Sequence, residues 1–110
     1  MKGKHLIVDI RKCGRVPTQT ELYDLLDALV HLIKMRKLIS PYIVRGAQNN
    51  PGITGFVIIE TSHISVHTFE KTKFIALDIY SCITFNHKII LKELYKVFDT
   101  KDIHYKVFAR

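Results

Sequence analysis

Between Lys4 and Ile10, Leu6, Val8 and Ile10 alternate with His5, Ile7 and Asp9, a period of two that predicts a strand with one strongly apolar face. Gly14 and Pro17 then punctuate the chain. Thr18 and Glu21 have capping-box spacing, and Leu22, Leu25, Leu26, Leu29 and Ile33 follow at helical intervals. This pattern predicts a helix from about Thr18 to Lys37, stopped before Pro41. Tyr42 to Arg45 reads as a short strand ahead of the loop Gly46-Ala47-Gln48-Asn49-Asn50-Pro51-Gly52. Ile53 to Glu60, Ile64 to Phe69 and Phe74 to Tyr80 are rich in β-branched and aromatic residues and predict a meander. Asn86 is a candidate N-cap for a second helix carrying Ile90, Leu94 and Val97 on one side, and Ile103, Tyr105 and Val107 alternate as a closing strand.

Strand, helix, several strands, helix, strand predicts an α+β fold: a two-layer sandwich in which two helices cover one face of a mostly antiparallel sheet. The other sheet face then becomes informative. Ile53, Val57 and Ile59 fall on one face of their strand, but Phe56 and Ile58 fall on the other; Phe74 and Tyr80 likewise oppose Ile75, Leu77 and Ile79. Two helices cannot cover both faces. A large apolar surface left over marks an interface, so the pattern predicts a homodimer in which a partner protomer covers the second face.

Length and composition fit this picture. A chain of 110 residues, 47% hydrophobic and 25% charged, has the size of one folded domain, 1–110. No pure apolar run exceeds four residues, and Met1 to Ile10 lacks the apolar stretch and cleavage site of a secretory signal, so no membrane partner is expected and the expected address is the cytoplasm. Cys13 and Cys82 are too few for a disulfide framework and are expected to be thiols. The excess of 17 Lys+Arg over 10 Asp+Glu gives +7, which raises nucleic acid as a partner. The basic residues are dispersed, however. Lys34, Arg36 and Lys37 close the predicted helix, and Lys88, Lys92 and Lys96 repeat every fourth residue as one solvated face without interleaved aromatics. No nucleic-acid partner is expected.

Polar residues between Glu60 and Cys82 are placed unusually for strands. His63, Ser65 and His67 share one face, against Ile64 and Val66 on the other. A shared metal ion is excluded by geometry, because four strand residues separate His63 and His67 by about 13 Å. A serine-hydrolase elbow is excluded too, since no Gly-x-Ser-x-Gly occurs. His5 and His63 remain open between packing and site roles.

The segment Glu60-Thr61-Ser62-His63-Ile64-Ser65-Val66-His67-Thr68-Phe69 resembles the processing segment of short prokaryotic S-adenosylmethionine decarboxylase proenzymes, which read Glu-Ser-His and then His-Thr with an aromatic. Ala76-Leu77-Asp78-Ile79-Tyr80-Ser81-Cys82 is similar to that family's Ala-x-Asp-x-x-x-Cys. Gly3-Lys4-His5-Leu6 leading to Asp9 and Cys13, and Gly52-Ile53-Thr54-Gly55, are similar to its opening and Gly-x-Ser-Gly strands. The resemblance covers nearly the whole chain.

The resemblance implies a self-processing enzyme. Ser62 would attack the carbonyl of Thr61, and the chain would split into fragments 1–61 and 62–110, the second beginning with a pyruvoyl group made from Ser62. That group is the implied cofactor, with no metal. Its carbonyl would form a Schiff base with the substrate amine and accept electrons as carbon dioxide leaves. By the same resemblance His67 transfers a proton during processing, Thr54 replaces the assisting serine, and Cys82 returns a proton to the substrate carbon. Phe69 and Glu70 are the substrate-binding residues the resemblance implies, and Asp9 and Glu60 join them as acidic residues that would offset the net charge of +7 beside a cationic substrate.

Three positions depart from the family's pattern. Thr61 stands where glutamate is usual, Glu70-Lys71 replaces Pro-Glu after the aromatic, and the loop Gln48-Asn49-Asn50 lacks an aromatic that could stack on adenine. The expected substrate is S-adenosylmethionine, in the synthesis of spermidine. The alternatives are arginine or ornithine decarboxylation, and an unprocessed paralogue that pairs with or regulates another subunit.

Overall fold

The computed structural model describes residues 2–110. Strand β1 (Lys4–Ile10) is followed by helix α1 (Gln19–Leu32), strands β2 (Tyr42–Arg45), β3 (Ile53–Ile59), β4 (Ser62–Phe69) and β5 (Phe74–Ser81), helix α2 (His87–Phe98) and strand β6 (Ile103–Ala109). The strands form one six-stranded sheet in the order β2-β3-β4-β5-β1-β6. Every neighbouring pair is antiparallel. The α+β expectation is therefore met.

Alternation decides which side of the sheet is packed. Leu6, Val8 and Ile10 in β1, Val57 and Ile59 in β3, Ile64 and Val66 in β4, and Ile75, Leu77 and Ile79 in β5 are all buried on the helix side. From the helices they meet Leu22, Leu26 and Leu29 of α1 and Ile90, Leu94 and Phe98 of α2 in one cluster. Helix α1 lies close to β3 because Gly55 offers no side chain beneath it. A Cβ there would come within 2.9 Å of Leu26 and 2.8 Å of Ile43.

Both helices begin where local chemistry supplies a cap. The Thr18 hydroxyl accepts from the Glu21 N–H, and the Glu21 carboxylate accepts from the Thr18 N–H. The Asn86 side chain accepts from the Lys88 N–H. The first helix stops five residues short of the expected Lys37. Ile33 caps it, and Lys34 takes φ = 59°, a left-handed conformation that no α-helix can continue through. Lys34, Arg36 and Lys37 thus lie beyond the helix instead of closing its last turn. Lys37 pairs with Asp27, and Arg36 lies against Glu60. The meander strands also shift slightly: β4 starts at Ser62, two residues earlier than expected, and β3 ends at Ile59.

Among the described residues, nothing covers the second sheet face. Tyr42, Val44, Phe56, Ile58 and Phe108 are all partly or largely exposed, and Tyr42 and Phe56 form a tilted ring pair at 5.9 Å. Near the middle of this face, the rings of His63, Tyr80 and His5 follow one another across three strands at 5.5 and 6.3 Å. Arg110 lies over Tyr80 at 4.9 Å.

Candidate active site

A two-residue turn, Glu60-Thr61, joins β3 to β4. Thr61 has φ = 54°. A β-branched residue in the left-handed region stores on the order of 1–3 kcal/mol of strain, which surrounding contacts must offset. Those contacts are on hand. The Thr61 hydroxyl lies 2.7 Å from the Glu60 carbonyl and 2.5 Å from Cys82 Sγ. Ser62, only 5% exposed, accepts the Cys82 N–H at 3.1 Å through its Oγ.

Sheet register produces this cluster. His63 pairs with Tyr80 across β4 and β5, and carrying the ladder past its last pair sets Thr61 beside Cys82. Serine, threonine and cysteine from two distant stretches of sequence meet at one sheet end. Their electrostatics differ from those of the other thiol. The Thr61 hydroxyl and then the Ser62 hydroxyl pull the Cys82 thiol below its ordinary value, partly opposed by desolvation and by Glu60. Burial pushes the Cys13 thiol up, as expected of a packing residue. Both cysteines are free.

A second cluster occupies the open face. Thr54 Oγ1 and His67 Nδ1 are 2.8 Å apart on paired residues of β3 and β4. A shallow cavity of about 210 Å³ lies against them, lined by Gly46, Asn50, Gly52, Thr54, His67 and Phe69 among others. Phe69 meets Phe74 edge to face at 5.9 Å. Glu70 is already engaged, its carboxylate accepting from Arg45 at 3.0 Å.

Residues singled out in the sequence therefore divide into groups. Glu60, Thr61, Ser62 and Cys82 form one, with Glu60 turned toward Arg36 at 3.4 Å. Thr54, His67, Phe69 and Glu70 form another. Asp9 is exposed on β1, opposite Ala76, whose other partner is His67. Ser62 and His67 are not brought together: five strand residues separate them by about 16 Å, and their side chains leave opposite faces of the sheet. Sequence reasoning did not find the contact between Thr61 and Cys82. The pairing of β4 with β5 across a short turn was the signal that could have revealed it.

The pattern of the family described as S-adenosylmethionine decarboxylase matches residues 4–110. An S-adenosylmethionine decarboxylase proenzyme 2 from Bacillus cereus is 28% identical, over 98% of this chain and 88% of that protein. A proenzyme from Archaeoglobus fulgidus is 30% identical over 73% of this chain and 70% of its own length. One from Sulfurihydrogenibium is 31% identical over 73% of this chain, which spans 59% of that relative. The crystal structure of an adenosylmethionine decarboxylase from Aquifex aeolicus has the same fold, with a TM-score of 0.79 at 22% identity, covering 99% of this chain and 90% of that one. Among the described residues, no helix is long and apolar enough to cross a membrane.

Proposed function

The chain belongs to the S-adenosylmethionine decarboxylase family, a family of carboxy-lyases, and from that premise we propose that it cuts itself between Thr61 and Ser62 and then decarboxylates S-adenosylmethionine. The product would be the aminopropyl donor for spermidine. The observation that carries this reading is the convergence of Thr61, Ser62 and Cys82 at the end of the β3–β4 hairpin. The scissile peptide follows a left-handed β-branched residue, so cutting it releases strain. The Ser62 hydroxyl is adjacent to the carbonyl it must attack.

A pyruvoyl group in place of Ser62 suits its surroundings. It would stand at a strand end, beside the backbone N–H of Cys82, which now bonds Ser62 Oγ. When formed, the group supplies a carbonyl able to accept electrons as carbon dioxide leaves. Cys82 is the thiol in reach of that position, and we assign it the proton delivered to the substrate carbon. His67, held at Nδ1 by Thr54, is suited to move protons during processing.

His67 lies too far from Ser62 to act within one chain. We propose that two copies pack their open sheet faces together, so that His67 and Thr54 of one lie against the exposed Glu60-Thr61 turn of the other and serve the Thr61–Ser62 peptide from the sheet end. The exposed Tyr42, Phe56, Ile58 and Phe108 supply the apolar part of that interface. Phe69, Asp9 and Glu70 face or border the same region and are the proposed substrate contacts, with Glu60 at the cut end. Free Cys13 and Cys82 thiols suit the reducing cytoplasm.

A second reading rests on Glu70 and the loop before it. The Glu70 carboxylate is paired with Arg45, and the loop Gln48-Asn49-Asn50 offers no aromatic surface to a nucleoside. Arginine or ornithine would need neither. Intact mass under denaturing conditions tests processing: two fragments ending at Thr61 and beginning at Ser62 are expected, and a chain that stays whole overturns the reading. Carbon dioxide release from S-adenosylmethionine, arginine and ornithine, compared side by side, then decides the substrate.

A further inference from the structure

The Thr61 hydroxyl carries one proton and has two acceptors within reach, the Glu60 carbonyl at 2.7 Å and Cys82 Sγ at 2.5 Å. When sulfur is protonated, S–H donates to Thr61 Oγ1 and the hydroxyl donates to Glu60. When sulfur is a thiolate, the hydroxyl rotates and donates to Sγ. Sulfur is therefore held in the same place in either state. Ser62 is tied to the same residue through the Cys82 N–H. Both residues flanking the proposed cut thus touch Cys82.

Cutting changes both contacts. Ser62 Oγ adds to the Thr61 carbonyl carbon and the C–N bond breaks, leaving an ester and a free amine. Loss of the Ser62 α-proton then expels Oγ with the Thr61 acyl group as a carboxylate. Water replaces the nitrogen, which leaves as ammonia. One water enters, one ammonia leaves, and no oxidant is required. The oxygen that began on Ser62 ends on Thr61. A hydroxyl beside Cys82 is lost, and an anion appears on the residue whose hydroxyl touches Sγ. Each change favours protonated sulfur.

We propose that Thr61 is a positioning residue for Cys82, and that cleavage after Thr61 switches Cys82 from a state that favours thiolate to one that holds the proton it must later give. The inference rests on the reading that the Thr61–Ser62 bond is cut. It agrees with the uncut chain, where the Thr61 and Ser62 hydroxyls hold the thiol below its ordinary range. Cys13 is an internal reference, since it lies away from the cut and is 4% exposed.

The test follows alkylation of Cys82 by iodoacetamide against pH, with peptide mass mapping to separate it from Cys13. In a Ser62→Ala background that cannot cut, Thr61→Val keeps the branched shape but lacks the hydroxyl. It is expected to slow Cys82 alkylation at pH 7 by about threefold or more, while Thr61→Ser stays within about twofold. In the wild-type sequence, the alkylation midpoint of Cys82 is expected at higher pH in cut protein than in freshly made uncut protein, with Cys13 unchanged. Equal rates for the Thr61→Val and Thr61→Ser pair overturn the positioning role. Equal midpoints before and after cutting overturn the switch alone. A chain that never cuts overturns the switch together with the proposed function, and intact mass distinguishes that case at the outset.

Discussion

Ser62 and His67 lie on the same strand with their side chains on opposite faces of the sheet, about 16 Å apart. One copy of the chain cannot bring the imidazole to the hydroxyl. If two copies share the work, a Ser62→Ala chain retains a usable His67 and a His67→Ala chain retains a usable Ser62. Co-expression of the two should restore cutting of the His67→Ala chain, and only of that chain, while each alone stays largely whole. Intact mass with one chain tagged reads this directly. No rescue in the mixed population would exclude action between copies.

Thr54 Oγ1 lies 2.8 Å from His67 Nδ1. That bond sets the ring's orientation. Thr54→Val keeps the shape and removes the hydroxyl, and should slow cutting about tenfold, the worth of one hydrogen bond of somewhat over 1 kcal/mol. Thr54→Ser should cut at nearly the wild-type rate. A Thr54→Val chain that cuts normally would remove Thr54 from the machinery.

Phe56 is 36% exposed on the open face, where it forms a tilted ring pair with Tyr42 at 5.9 Å. Phe56→Asp should leave the fold intact, because the helix-side core does not include it. It should halve the mass seen in sedimentation from that of two 12.8 kDa chains to that of one. Cutting should slow in the same variant, since the partner's His67 would be lost with the interface. A wild-type chain sedimenting as a monomer at micromolar concentration would refute the packing.

Much of this architecture was legible because its causes are local. Alternation in Lys4–Ile10 and Ile53–Ile59 predicts strands directly, and Thr18 with Glu21 and Asn86 place both helix starts. The end of α1 was not legible. Neither Gly nor Pro marks it, and Lys34 turns left-handed without a composition signal. Within the site, a separation of five residues already puts Ser62 and His67 on opposite faces, so this division could have been read from parity alone. The contact of Thr61 with Cys82 needed the β4–β5 register, which depends on where a turn falls and not on which residues are apolar.

Gly52, the residue before β3, has no room for a side chain. A Cβ there would lie 1.9 Å from the Thr68 carbonyl oxygen, a backbone atom that cannot rotate away. The same pair of strands is tied by the Ile53 N–H donating to the Thr68 hydroxyl at 2.8 Å. Gly52→Ala should therefore cost at least about 2 kcal/mol and lower the melting temperature by roughly 8 °C or more. His67 sits next to Thr68, so cutting should slow as well. Gly46→Ala is the control, as its nearest neighbour would be 3.2 Å away.

Glu21 accepts from the Arg15 guanidinium through both carboxylate oxygens at 2.7 Å and from the Thr18 N–H at 3.0 Å. The Arg15 bond is the largest cause, and the Thr18 backbone bond the next, of a carboxyl held at about 2 against an ordinary value of 4.5. Because the folded value is depressed, the stabilisation is fully present above 4.5 and is lost as pH falls toward 2. The side chain is 39% exposed, so salt should screen the effect. Glu21→Gln keeps a side chain able to accept from Thr18 but removes the charge. Its melting temperature should lie below wild type at pH 6, and the gap should close as pH is lowered through 4.5 to 2. The gap should also narrow in 1 M salt at pH 6. A gap that persists unchanged at pH 2 would mean that shape, and not the ion pair with Arg15, is what the glutamate contributes to the start of α1.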